Sequence, residues 1–414
     1  MCGCPPGGVY GCLHCGTVMC GGLSDGGTCG RRDVYAVLAG SIAAAAVCIA
    51  MSSVTRTEKY NLLTVTEIDF QAFLVDPVYD RWFMDNLRCN QVSFVELCEL
   101  LRVEMAQYSL DNYTKSHSYE KKVAVVLYFL GSQGGYREVA AVFGMSKSWC
   151  QNIVHIFAEV LAGMASSWIH LPTSDLEWQQ VELGFRSNQN MSGIVGDIDG
   201  TLIEIQRPKD YDGFYNRHGD PSLNVQAMVD HTGAFTSVDI RPGSFSDRRI
   251  WKMSTLGRTF RTKFPCGSYI IGDSGYALFP WLIVPYLPHE EPNKTLSSCQ
   301  RHFNYIHSST RMVVECAFGR LKERFRMLKI PMSEKSMTQT SRNVMACMVL
   351  HNILLRLHDP LFNEPDSERD RNIYCQPEPY VHGRTPVETS SVLRSVGRFK
   401  RDRIAQTLFK MTNE

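Results

Sequence analysis

Apolar positions recur every three to four residues from about 60 to 171, which predicts a helical region. In VSFVELCELLRVEMAQYSL (92–110) that spacing brings Phe94, Leu97, Cys98 and Leu101 onto one face. SYEKKVAVVLYFLG (118–131) carries an apolar stripe that Gly131 and the Gly134-Gly135 pair bring to an end. Residues 136–143 predict a short helix, Gly144 a turn, and Ser146 the cap of a longer helix reaching about Met164. Pro172 falls in the link that follows.

Beyond Val181 the period changes and short strands are expected. GIVGDIDG (193–200) is a run of small and β-branched residues. SLNVQAMVDHTGAFTSVDI (222–240) is two apolar runs around a turn at Asp230-His231-Thr232-Gly233. SYIIGDSGY (268–276) reads as a buried strand ending in a polar loop. Residues 308–328 and 341–357 predict long helices. Mixed strands followed by long helices make an α/β architecture, helices stacked on a sheet. Residues 359–388, rich in Pro, Asp and Glu, predict a loose tail, followed by a basic segment with Arg394, Arg398, Lys400, Arg401 and Arg403.

Composition narrows the class. A chain of 414 residues suits two or three domains, and 44% hydrophobic with 21% charged residues excludes wholesale disorder, a collagen and a many-span membrane protein. The 43 Lys and Arg nearly cancel the 42 Asp and Glu, so affinity for nucleic acid has to come from local clusters. Of the 15 cysteines, Cys2, Cys4, Cys12, Cys15, Cys20 and Cys29 crowd the glycine-rich start, and the rest are scattered as in a reduced intracellular protein. Cys12 and Cys15 with His14 and Cys20 admit a zinc site, though a clean second pair is lacking. Residues 34–51 are apolar, weakly so because of their Ala and Gly, and follow Arg31 and Arg32. A signal or anchor there stands as the alternative to a chain without a membrane segment.

The two helices joined through Phe143-Gly144-Met145-Ser146 have the shape of a helix-turn-helix. Val139, Phe143, Trp149, Ile153 and Phe157 would pack it, leaving Lys147, Ser148, Gln151 and Asn152 to face DNA; the alternative is a plain helical hairpin. In the second half four acids stand out: Asp199 at a strand, Asp247 after Pro242-Gly243-Ser244, Asp273 at a strand's end and Glu315 in a long helix. Strand ends and a crossing helix can bring such carboxylates together, and hard oxygen donors suit Mg²⁺ or Mn²⁺. Two such ions would activate a nucleophile and stabilise the leaving oxygen of a phosphodiester. Asp199 and Asp273 would equally serve turns, and Glu315, crowded by apolar neighbours, would be satisfied by a buried ion pair. Asp197 would share the face of Asp199. Arg241, Arg248, Arg249, Lys252, Arg258, Arg261 and Lys263 form one basic cluster, and Arg301, Arg311, Arg320, Lys322, Arg324, Arg326 and Lys329 another. Both would neutralise backbone phosphates, Arg241, Arg248, Arg249, Arg320, Lys322 and Arg324 foremost.

Read in order, YREVAAVFGMSKS, IVGDIDGTLIEIQRP, LNVQAMVDHTGAF with RPGSFSDRRIW, YIIGDSGYALFPWLIVPY and FNYIHSSTRMVVECAFGRLKERFRMLK resemble the transposases of the PIF/Harbinger superfamily. The resemblance runs over residues 80–357 and implies a ribonuclease-H-like domain with a DDE triad at Asp199, Asp273 and Glu315 as catalytic and metal-binding residues. Asp247 matches an auxiliary acid, and Leu202 stands where the family usually carries His. A metal-dependent endonuclease/transposase is implied, cutting element ends and joining 3′-OH ends to target DNA; the alternative is a domesticated, non-cutting DNA-binding or interaction protein. DNA, Mg²⁺ or Mn²⁺ and a Myb-like accessory protein are the implied partners, with the nucleus as the site of action and a homo-oligomer open. The expected organisation is a leader at 1–59, a helical DNA-binding region at 60–171, the nuclease domain at 181–357 and a tail at 358–414.

Overall fold

The computed structural model describes residues 70–106, 117–208, 212–334, 336–362 and 391–413. The cysteine-rich start and the apolar run at 34–51 lie outside the described residues, among which no helix is long and apolar enough to cross a membrane.

The helical region comprises α1 (Phe70–Val75), α2 (Asp80–Asn86), α3 (Gln91–Met105), α4 (Tyr119–Gly131), α5 (Gly135–Phe143), α6 (Lys147–Gly163) and the single turn α7 (Ala165–Trp168). On α3 the three-to-four spacing does what it predicts: Phe94, Leu97, Cys98 and Leu101 are buried. Gly144 closes α5 at φ +67°, a conformation that costs glycine little, and Ser146 Oγ caps α6 by accepting from Trp149 N at 3.2 Å. Val139, Phe143, Ile153 and Phe157 are fully buried and Trp149 partly, so the unit packs through the expected residues.

The strands begin later than Val181. Residues on both sides of it form α8 (Asp175–Gln189), started by a capping box between Ser174 and Glu177 and ended by Asn190 at φ 55°. Serine followed three residues on by glutamate is the signature that announces this helix, and Val181 and Phe185, one turn apart, are its buried face. The sheet is β1 (Ile194–Glu204), β2 (Ser222–Val229), β3 (Phe235–Pro242), then, after α9 (Asp247–Met253) and α10 (Thr255–Lys263), β4 (Tyr269–Gly272) and β5 (Leu282–Ile283). Its order is β3-β2-β1-β4-β5, antiparallel on the β2 side of β1 and parallel on the β4 side. This mixed sheet flanked by helices is the ribonuclease-H-like layout.

Two long helices complete the layers, α11 (Ser298–Arg324) and α12 (Met337–Arg356). α11 begins well before residue 308 because Ser297 and Gln300 form a second capping box. It crosses the sheet with Val314, Ala317, Phe318 and Leu321 buried. One apolar core runs from the helical region through α12 to the β2–β3 face, with Phe94, Phe157, Val225, Phe235 and Val349 inside it. A second core lies around Val195, Ile270, Ile283 and Phe303.

The basic end of the chain is not loose. Residues 391–413 form α13 (Ser391–Asn413), which buries Ala405 and Leu408 in the second core. Arg401 is also buried, donating to the Val284 and Pro285 carbonyls and lying over the Tyr286 ring. A high count of arginine hid a helix whose buried face includes one of those arginines.

Candidate active site

β1 presents Asp197 and Asp199 two residues apart, opposite Val229 and Ala227 of β2, hence on one face of the sheet. α11 crosses that face and delivers Arg311, Val314 and Glu315. Arg311 donates to Asp199 Oδ2 at 2.7 Å, lies 3.4 Å from Glu315 Oε1 one turn along, and approaches Asp197 Oδ1 at 3.8 Å. Asp197 is fully buried and accepts from the Val314 amide at 3.2 Å, pinning helix to strand. Asp199 Oδ1 accepts from the Gly200 amide at 2.8 Å.

Asp247 and Asp273 approach from the other side. Asp247 opens α9, its carboxylate reached by Asn224 Nδ2 at 3.4 Å, while Gln226 Nε2 donates to its carbonyl and to the buried Tyr276 hydroxyl. Asp273 directly follows β4 and accepts from the Gly275 amide at 3.0 Å, so it does serve a turn. Both carboxylates face one gap. A Cβ on Gly275 would sit 3.0 Å from Asp273 Oδ1 and 3.2 Å from Asp247 Oδ2, and one on Gly200 only 2.7 Å from Asp247 Oδ1. Glycine at both positions leaves that space open.

The electrostatics follow from crowding. Burial and the charges of Asp273 and Asp247 push Asp199 up to about 7, against the pull of Arg311. Burial raises Glu315 and Asp247 as well, with Asp273 adding to each. Asp197 is held well above the ordinary carboxylate range, first by burial. Burial works against the charge of Arg311, but Asp199, Asp197, Asp273 and Glu315 more than offset it.

The donor chemistry of these acids suits a divalent ion, and the gap between Asp247 and Asp273 is the sort of cradle one would enter. The full set does not fit as it stands. Among the described residues no three His, Cys, Asp or Glu side chains stand close enough to share an ion. Asp199 and Glu315 instead share the guanidinium of Arg311.

Comparison with known proteins points to one family. Residues 198–352, which contain all four site acids, match the family model described as DDE superfamily endonuclease. "Putative nuclease HARBI1" of Rattus norvegicus is 28% identical over 297 residues, 71% of this chain and 83% of that protein. Its Mus musculus counterpart is 29% identical over 287 residues, 68% and 80% of the two chains. "Protein ALP1-like" of Arabidopsis thaliana is 26% identical over 336 residues, 76% and 80%. The chain is similar to PIF/Harbinger-type, DDE transposase-derived proteins. No solved structure matches it significantly.

The expected DNA-facing residues fall into two groups. Lys147, Ser148 and Asn152 are exposed along the start of α6, with Gln151 half-buried beside them. Most of the arginines are engaged within the protein. Arg241 pairs with Asp239, Arg248 donates to the Gly275 carbonyl at 2.8 Å, and Arg249 lies over the Phe245 ring. Arg320 is half-buried. Lys322 donates to the Leu202 carbonyl at 3.1 Å, and burial lowers its pKa. Arg324 departs furthest from expectation: it is buried, paired with Asp359 at 2.8 Å and bonded to the Arg88 carbonyl. Its place in the C-terminal turn of α11, against the helical region, makes it a tie inside the protein rather than a phosphate contact. Lys252 on α9 and Arg258, Arg261 and Lys263 on α10 are exposed, Arg261 with its guanidinium over the Trp281 ring.

In the sequence Arg311 stands out only as one of a basic cluster, and nothing marks Asn224 or Gln226. Arg311 lies four residues before Glu315, the spacing that puts two side chains on one helix face. Asn224 and Gln226 alternate with apolar residues in β2, a pattern that usually marks the solvent side of a strand, yet both are buried.

Proposed function

We propose that this chain acts on DNA as a transposase-derived binding protein whose carboxylate site is held by its own arginine and does not cut in that state. The observation that carries this reading is the Arg311 guanidinium shared by Asp199 and Glu315. An ion that needed those two oxygens would have to displace a cation already buried between them. Lys147, Ser148, Gln151 and Asn152 would meet DNA from the helix-turn-helix, and the exposed cations of α10 would add phosphate contacts. On this reading residues 60–171 do the DNA reading and residues 181–357 supply the scaffold.

A second reading has its own observation. Asp247 and Asp273 face a gap kept open by Gly200 and Gly275, as a cutting enzyme requires. There Asp199, Asp273 and Glu315 would be catalytic and would hold Mg²⁺ or Mn²⁺ once Arg311 swings away, with Asp247 as the auxiliary acid. The group would supply Lewis-acid stabilisation of the phosphodiester oxygens. A Myb-like partner and a nuclear site of action belong to both readings.

The experiment is a retention and nicking assay of the full chain on linear and supercoiled DNA, with Mg²⁺ or Mn²⁺ and with a chelator. Salt-sensitive retention without strand breaks is expected. Nicking that requires metal and disappears in D199N would overturn the first reading and establish the second.

A further inference from the structure

The helix-turn-helix unit shares a cleft with the body of the protein. The cleft, about 280 Å³, opens between the start of the unit and the segment that joins α11 to α12. One wall is the Gly134-Gly135 turn with Arg137 of α5 and Lys147, the first residue of α6. The facing wall is formed by residues 330–334.

Three charged side chains line this space, Arg137, Lys147 and Glu334. Glu334 is already engaged: Tyr136 Oη donates to it at 2.5 Å, Asn343 Nδ2 donates at 3.2 Å, and His155 Nε2 lies 3.4 Å away. Arg137 and Lys147 are exposed, and neither side chain has a hydrogen-bond or ion-pair partner among the described residues. Two free cations against one engaged carboxylate leave the cleft net positive. Its volume falls below the about 300–1,000 Å³ of sites for drug-sized ligands, so it suits a compact anion.

Position says which anion. Gln151 lies one turn beyond Lys147 on the same side of α6. A duplex that meets Gln151 and Asn152 with its base edges carries its backbone past the start of α6, where the cleft opens. We propose that the cleft seats one backbone phosphate of that duplex, held by Arg137 and Lys147 together. The inference rests on α6 being the DNA-facing helix. The seat also fixes register. Its facing wall is tied to the carboxylate strand, since Met332 N donates to the Glu204 carbonyl and Gln206 N to the Met332 carbonyl, both at 3.0 Å. A phosphate held there sets the duplex at a fixed place relative to Asp197 and Asp199 on the same β1.

The test is fluorescence anisotropy of the full chain on a labelled duplex of about 20 base pairs over a range of salt, with circular dichroism to show that each variant folds. R137A and K147A should each weaken binding about fivefold or more at about 0.1 M salt. The R137A/K147A chain should lose less than the product of the two, because both groups act on one phosphate. Ser333, exposed on the facing wall, reports on the cleft itself. S333D should weaken binding and S333K should strengthen it, although Ser333 lies outside the helix-turn-helix. Losses that multiply in R137A/K147A, with no response to S333D or S333K, would overturn the proposal and leave α6 as a DNA-facing helix. No loss in either R137A or K147A would overturn both. Inorganic phosphate that displaces the duplex at low millimolar concentration would overturn DNA as the occupant.

Discussion

Arg311 and Asp199 are joined by a 2.7 Å ion pair that links the middle of α11 to the middle of β1. The same guanidinium lies 3.4 Å from Glu315, so one cation answers two of the acids that the sequence singles out. A DDE scaffold needs its acids close, and closeness among carboxylates in a partly buried site is costly. Arg311 meets that cost from within the chain.

Removing the arginine should therefore expose the repulsion. R311M is expected to lower stability by about 3–5 kcal/mol near pH 8, as for other buried pairs broken on one side. The loss should shrink near pH 5.5, where the acids take up protons. Urea unfolding at the two pH values checks this; equal losses would show that Arg311 acts through packing alone.

Asp199 gives a signed pH dependence. Its carboxyl rises from an ordinary 3.8 to about 7 in the folded protein, so the folded state keeps a proton that the unfolded chain releases. The stability it contributes is fully present below 3.8 and is lost as pH rises through about 7. D199N should flatten that part of the stability–pH curve, measured by urea midpoints between pH 4 and 8.

His307 and His351 work in the other direction. Both are buried, and burial lowers each to about 3, while Ile283 and Gly233 carbonyls lie at 3.2 Å from their Nε2 atoms. An unfolded histidine takes up a proton below its ordinary 6.5, so each costs stability as pH falls from 6.5 towards 3, by about 1.4 kcal/mol per pH unit. H351Q keeps a donor for Gly233 and should remove about one proton of uptake on acid unfolding. An unchanged slope would show that His351 is protonated in the fold.

Arg324 and Lys147 separate structural from DNA-facing cations. R324A should destabilise the fold by about 3–5 kcal/mol, because Asp359 would be left buried without its partner. K147A should leave stability unchanged and reduce the salt dependence of DNA binding by about one phosphate contact. A reduced slope in correctly folded R324A, with none in K147A, would reverse the two assignments.

Much of this fold is legible in the chain. The apolar spacing of α3, the Gly144 turn with its Ser146 cap, the β2–β3 hairpin and the polar loop after β4 lie where the residues predict them. Helix starts are less legible. The capping boxes at Ser174 and Ser297 extend α8 and α11 into stretches whose apolar period alone reads otherwise. At the site, the acids stand out by their flanking glycines and strand-end positions. Their counter-charge does not, because whether Arg311 turns inward or outward depends on how α11 crosses β1. α13 hides for a similar reason: Arg401 is buried by carbonyls and a tyrosine ring that come from residues 284–286, far off in sequence.

Calorimetric titration of Mn²⁺ into wild type, R311Q and R311Q/D273N bears most directly on the role of Arg311. With the guanidinium in place, wild type should show no saturable binding at millimolar ion. R311Q, which frees Asp199 and Glu315, should gain a saturable site, and adding D273N should abolish it. Saturable binding by wild type that D199N removes would contradict the account, because the acids would then hold the ion with Arg311 present.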